Sequence, residues 1–272
     1  MYVEKTRKIS LENLMEKYEK VTAKLTSEQQ KSTKNKAAID TFLKNINILV
    51  EKEATCETLI PMYQKKFKSY ATDVDWLRKA AGRLDAKGCK EDPLFVELVE
   101  AIDNNAPNAD SKLYLWKIHE RLGNSAKAKT YFEAYLTLET DGEKKANVLH
   151  GEALKAAKIK QKSKARSLFL EALTANPNAG KIYLNLARLY ATSANECGTD
   201  EFTKRAIYWK AAETARKAAS ADSSVRSEAN KLVETYMQSA PSKIDIFKKT
   251  YKGGEKIPLK CWVGGFVTVP KL

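Results

Sequence analysis

Ser111-Lys112-Leu113-Tyr114-Leu115-Trp116-Lys117-Ile118 runs on to Gly123-Asn124, and Ser125 then opens a segment carrying Ala128, Tyr131, Phe132, Tyr135 and Leu136. The first part reads as a helix over about 110–122, stopped by a glycine that can take the left-handed conformation. The second reads as a helix capped by Ser125, its apolar residues recurring at three- and four-residue steps and so lining one face. Two amphipathic helices joined by a tight turn cannot bury both apolar faces alone. Such a unit calls for neighbours of the same kind.

Those neighbours are in the chain. Ala175-Asn176-Pro177-Asn178 closes one helix and opens another, and Asn104-Asn105-Ala106-Pro107-Asn108 does so about two periods of ~34 residues earlier. Glu139-Thr140-Asp141-Gly142 breaks the chain between them. The next unit places Leu149 and Ala153 on a first helix and Ala165, Phe169, Ala172 and Leu173 on a second. A third begins with Tyr183, Leu186, Ala187 and Tyr190 and resumes with Ala211, Ala215 and Ala218. Small residues let helices approach, and the phenylalanines fill the space beside them. Pairs near 56–69 with 73–86, and then 92–105, follow the rhythm more loosely.

Here the chain resembles the tetratricopeptide-repeat family. Tyr183, Leu186, Ala187 and Tyr190 match the first half of its pattern, and Ala165, Phe169, Ala172 and Pro177 the second. Trp116 and His119 replace smaller residues or Tyr, and Lys160 stands where Gly is usual. The resemblance implies an all-α fold, an α-solenoid of helix–turn–helix repeats. Residues 1–54 are expected to form amino-terminal capping helices. Residues 55–222 would hold about four to five helix pairs, with an insertion near 193–203. Residues 223–250 would close the stack, with Val225, Ala229, Leu232, Val233 and Tyr236 on one side. Residues 251–272 change character: Ile257–Val263 and Phe266–Val269 flank Gly264-Gly265, which predicts a β-hairpin with a two-residue turn, packed on the final helices.

The 272 residues are 43% hydrophobic and carry a net charge of +14, with 11 Gly and 7 Pro. So basic a balance permits an acidic protein, nucleic acid or an anionic surface as partner. Most of the charge is Lys in pairs such as Lys65-Lys66, Lys144-Lys145 and Lys248-Lys249, which read as solvated helix faces. Arg clusters interleaved with aromatic residues are missing, which argues against a dedicated nucleic-acid surface. No apolar run is long enough to span a bilayer.

Four cysteines, Cys56, Cys89, Cys197 and Cys261, leave two states open: two disulfides, or four reduced thiols in a cytosolic protein. Cys56 and Cys89 lie nearly one period apart, each placed by stacking at the start of a second helix. A Cys197–Cys261 bridge would pin the tail to the last repeat. With only His119 and His150 besides, and no Cys-x-x-Cys, no zinc site is expected.

A closer resemblance favours the bridges. Ala54-Thr55-Cys56-Glu57-Thr58-Leu59-Ile60-Pro61, Tyr190-Ala191-Thr192-Ser193-Ala194 with Cys197-Gly198, Tyr208-Trp209-Lys210-Ala211 and Cys261-Trp262 are similar to segments of exported tetratricopeptide-repeat proteins of Bacteroidota. Members usually carry an export signal and a longer amino-terminal region. The resemblance therefore implies a start inside a longer precursor and a periplasmic or cell-envelope location, with the cytoplasm as the alternative. Val263-Gly264-Gly265 stands where the group has Ile-Asn-Glu, which puts any role of that Asn or Glu in doubt.

Nothing points to catalysis or to a cofactor: there is no Gly-rich phosphate loop, His-Glu-x-x-His or Gly-x-Ser-x-Gly. The expectation is a non-catalytic scaffold that holds a protein or peptide partner, an acidic one suiting the charge. By resemblance to repeats that bind peptides on their concave face, the contact positions are Tyr114, Lys117 and Arg121 in one unit and Asn185 and Arg188 in another. A nucleic-acid or anionic-surface binder is the alternative.

Overall fold

The structure, a computed structural model, describes residues 10–31 and 35–271. Residues 1–9, 32–34 and 272, which the capping-helix and tail expectations include, lie outside the described residues. The chain divides into two compact units, Met1–Leu138 and Glu139–Leu272. Both are built from antiparallel helix pairs, the helical-repeat fold expected from the tetratricopeptide pattern.

The first unit holds α1 (Leu11–Lys31), α2 (Lys36–Glu53), α3 (Cys56–Tyr70), α4 (Val74–Ala86), α5 (Pro93–Asn105), α6 (Ala109–Arg121) and α7 (Ser125–Leu138). Leu59, Leu77, Leu84, Leu98 and Leu115 form its centre and are fully buried. Leucine at three- and four-residue steps on successive helices gives each helix one apolar stripe, and antiparallel pairing buries the stripes against each other. The main hairpins are α4 with α5 and α6 with α7. The looser pairing of 56–69 with 73–86 is therefore out of phase: Val74 and Ala109 are the starts of first helices, about one period apart. Helix α1 is tied on by Glu19 to Arg83 (2.7 Å) and Glu12 to Lys66 (2.6 Å).

Two local expectations need correction. The carbonyl of Asn124 accepts the Ala128 N–H, so α7 starts at Ser125 and Asn124, not Ser125, holds the cap position. Cys56 opens α3, but Cys89 lies in the α4–α5 connection. The two still meet, in a disulfide with Cα atoms 5.6 Å apart.

The second unit holds α8 (Gly142–Lys158), α9 (Lys162–Ala175), α10 (Gly180–Ala191), α11 (Glu201–Ala221), α12 (Arg226–Ser239), α13 (Lys243–Lys248) and the strands β1 (Lys256–Pro258) and β2 (Phe266–Thr268). Ala146, Leu149 and Ala153 of α8 and Ala165, Phe169 and Ala172 of α9 are buried, the small-and-large alternation read from the sequence. Between the two helices Lys160 takes φ 62°, and the Gln161 N–H returns to the Ala156 carbonyl. That is the left-handed helix stop usually given to glycine.

The tail departs from the expected hairpin. β1 and β2 pair antiparallel, Ile257 opposite Val267, but the connection covers 259–265 rather than two residues. Pro258 sits at a position whose backbone N–H would face away from β2, so it costs the ladder no bond, and Leu259 still donates to the Gly265 carbonyl. Cys261 is then drawn to Cys197 in a second disulfide, Cα atoms 4.7 Å apart. Gly264 and Gly265 keep the positive φ of a turn, at 64° and 70°, inside this wider loop. Ile257, Leu259, Val263, Val267 and Val269 are all buried, and β2 packs on α11.

Candidate partner-binding face

In the second unit α8, α10 and α12 are the first helices of successive pairs, and polar side chains join them in one line. Asn185 Nδ2 on α10 lies 2.8 Å from His150 Nε2 on α8. Arg188 Nη1 donates to Asn185 Oδ1 at 3.1 Å, and Arg188 Nη2 donates to Glu228 on α12. The direction of the bonds follows from chemistry. A guanidinium can only donate, so the amide oxygen of Asn185 faces Arg188 and its NH2 faces His150. His150 Nε2 must therefore accept, which requires a neutral ring with its proton on Nδ1. Burial holds the His150 imidazole below its usual pKa, and the Lys181 ammonium adds to the effect. The line thus presents an amide, a half-exposed guanidinium and a carboxylate on a single helical face. Such groups can fix a peptide backbone and a charged side chain.

In the first unit the expected residues are occupied differently. Tyr114 packs edge-on to Phe95, centroids 5.9 Å apart, with its hydroxyl 3.5 Å from Asp85 Oδ2. Arg121 bonds the Lys90 carbonyl at 3.3 Å and pairs with Glu91 at 2.6 Å, both in the α4–α5 connection. Lys117 is exposed. The structure therefore brings Asn185 and Arg188 into a shared network and directs Tyr114 and Arg121 into contacts between neighbouring repeats.

His150 and Glu228 were not singled out for this face. His150 precedes Asn185 by about one period, so the repeat register carried that signal. Glu228 carried none, because the insertion after α10 breaks the count. His119 is buried, stacked on Tyr131 with centroids 5.4 Å apart, and its Nε2 lies 3.2 Å from Glu100. Among the described residues no group of three or more His, Cys, Asp or Glu could hold a metal ion.

The Cys-Trp pair anchors the tail. Beside the 197–261 disulfide, Trp262 Nε1 donates to Glu196 Oε2 at 3.0 Å. Lys162 pairs with the same carboxylate and donates to the Thr192 carbonyl and Ser193 Oγ, both at 3.2 Å. The insertion is thereby clamped between α9 and the tail.

No family model and no curated protein matches the chain. Solved structures that resemble it include the crystal structure of MamA protein, 16% identical over 67% of this chain and 95% of that one, TM-score 0.34. A tetratricopeptide repeat protein from Parabacteroides merdae is 17% identical over 84% of this chain and 99% of that one, TM-score 0.35. At such scores the likeness assigns no site and no activity.

Proposed function

We propose that this chain is a non-catalytic interaction scaffold that holds an extended segment of a partner protein on the first-helix face of its repeats, in the periplasm or within a cell-envelope complex. The observation that carries the reading is the His150–Asn185–Arg188–Glu228 line, which crosses three helices and leaves Arg188 and Glu228 open to solvent. Surface side chains commonly pair three or four residues apart on one helix, as Asn185 and Arg188 do. Here three first helices contribute to one connected row. Two disulfides fit an oxidising compartment, where such bonds persist. Among the described residues no helix is long and apolar enough to cross a membrane.

A photoreactive amino acid placed in turn at Arg188 and at Lys164 on α9 tests the proposal in cells of the source organism. Crosslinking to one discrete polypeptide from position 188 and not from 164 is expected. Equal labelling from both positions, or labelling that vanishes with nuclease, would return the chain to the alternative of a charge-driven nucleic-acid binder.

A further inference from the structure

A groove of about 610 Å³ runs between α11 and β2, and none of His150, Asn185, Arg188 or Glu228 lines it. Its walls include Trp209, Lys210, Glu213 and Arg216 of α11, Arg166 of α9 and the whole stretch from Gly264 to Lys271. Three features of it are unspent.

The first is a strand edge. Among the described residues the sheet has two strands, so β2 is paired there on one side only. Leu259 donates to the Gly265 carbonyl and Val269 donates to the Glu255 carbonyl, with Ile257 opposite Val267. Residues 265, 267 and 269 therefore turn their backbone groups toward β1. In an antiparallel ladder the alternate residues, Phe266 and Thr268, then aim N–H and C=O away from it. Phe266 and Thr268 both line the groove and no residue of Lys256–Pro258 does, although Gly254, which donates to the Val269 carbonyl, lines it too.

The second is charge. Arg166, Lys210, Arg216 and Lys271 line the groove against one carboxylate, Glu213. Glu213 is already shared by Lys210 at 3.4 Å and Lys217 at 3.3 Å. Arg166 donates to the Tyr190 hydroxyl at 3.1 Å, and neither it nor Arg216 meets a carboxylate among the described residues. The third is Trp209. It is 5% exposed, and its Nε1–H meets no acceptor among the described residues. A buried donor without an acceptor is uncommon in folded chains.

We propose that this groove is a β-strand addition site for an extended acidic segment of a partner protein, which pairs with the open edge of β2 while its carboxylates meet Arg166, Lys210 and Arg216. An exposed edge offers alternating donors and acceptors at the spacing of a peptide backbone, a pattern that a phosphodiester chain does not match. The edge is also left unguarded. Phe266 is exposed, with the Lys256 ammonium 4.2 Å from its ring centroid, and among the described residues no neighbouring strand covers the outer side. The site is independent of the first-helix face and stands whether or not that face is used.

The test uses the oxidised chain and a fluorescein-labelled peptide of alternating Glu and Val, followed by anisotropy. Saturable binding is expected, with an alternating Lys-Val peptide failing to bind. A copy of the Glu-Val peptide N-methylated throughout keeps its charge and loses its backbone donors, and it is expected to bind at least about tenfold more weakly. Thr268→Pro removes the outward N–H without touching the ladder, and the Arg166→Gln/Arg216→Gln variant removes two cations. Each is expected to weaken binding about tenfold, while Asn185→Ala leaves it unchanged. The methylated peptide needs no altered protein, so a poorly folded variant does not blunt the test. Equal binding of the methylated peptide overturns strand addition. Failure of the Glu-Val peptide to saturate overturns the site, as does its displacement by single-stranded DNA of equal charge with a steep salt dependence.

Discussion

Replacing Cys197 and Cys261 together by Ser tests how the tail is held. The two cysteines are 64 residues apart in sequence, and closing a loop of that size restricts the unfolded chain by about 4.3 kcal/mol at 25 °C. The loss should fall on the second unit and, within it, on the tail first. The groups that remain are the buried Ile257, Leu259, Val263, Val267 and Val269 and the Trp262–Glu196 hydrogen bond. Urea unfolding of the variant, followed by hydrogen exchange and read on peptides from each unit, separates the two. With a urea dependence of ~2 kcal/mol per molar, the midpoint of the second unit should drop by about 2 M while the first unit stays put. The amides of Ile257 and Val267 should lose protection before those of α10 and α11. The reasoning is refuted if the second unit loses less than about 1 kcal/mol and those amides exchange as before. The apolar contacts would then hold the tail unaided.

Two further outcomes follow from single residues. Lys160 takes a left-handed conformation that costs an L side chain about 1 kcal/mol more than glycine, so Lys160→Gly should raise the stability of the second unit by up to that amount, measured by the same urea titration. His150 has its pKa depressed by burial, so the unfolded chain takes up the proton first as the pH falls. Its contribution is complete above the ordinary histidine pKa of about 6.5 and is lost as the pH falls from there through the folded value. Long-range proton–nitrogen NMR should show His150 protonated on Nδ1 at neutral pH and titrating below free histidine. Asn185→Asp, which puts a carboxylate beside Nε2, should move that titration upward.

The repeat architecture was readable in the chain because it is a local matter. Helix pairs are written in spacings of three and four residues, in Gly123 and Asn-Pro stops, and in the alternation of Ala165 and Ala172 with Phe169; each acts within a few turns of its own position. The spacing of Cys56 and Cys89, nearly one period, likewise put that pair within reach, because stacked repeats bring such residues side by side; the 64 residues between Cys197 and Cys261 carried no such signal. The candidate face was half legible. Asn185 and Arg188 lie one turn apart on one helix, so sequence put them together. What they touch, His150 and Glu228, lies 35 and 40 residues away and depends on how far α8 and α12 slide past α10. The α11–β2 groove was not legible at all. It exists because the 197–261 disulfide ties residue 261 to the insertion, so a loop over 259–265 replaces the expected tight turn, and β2 packs beside α11. Periodicity determines which face of a helix is buried; only the packing of distant elements decides which polar groups meet and which strand edge is left open.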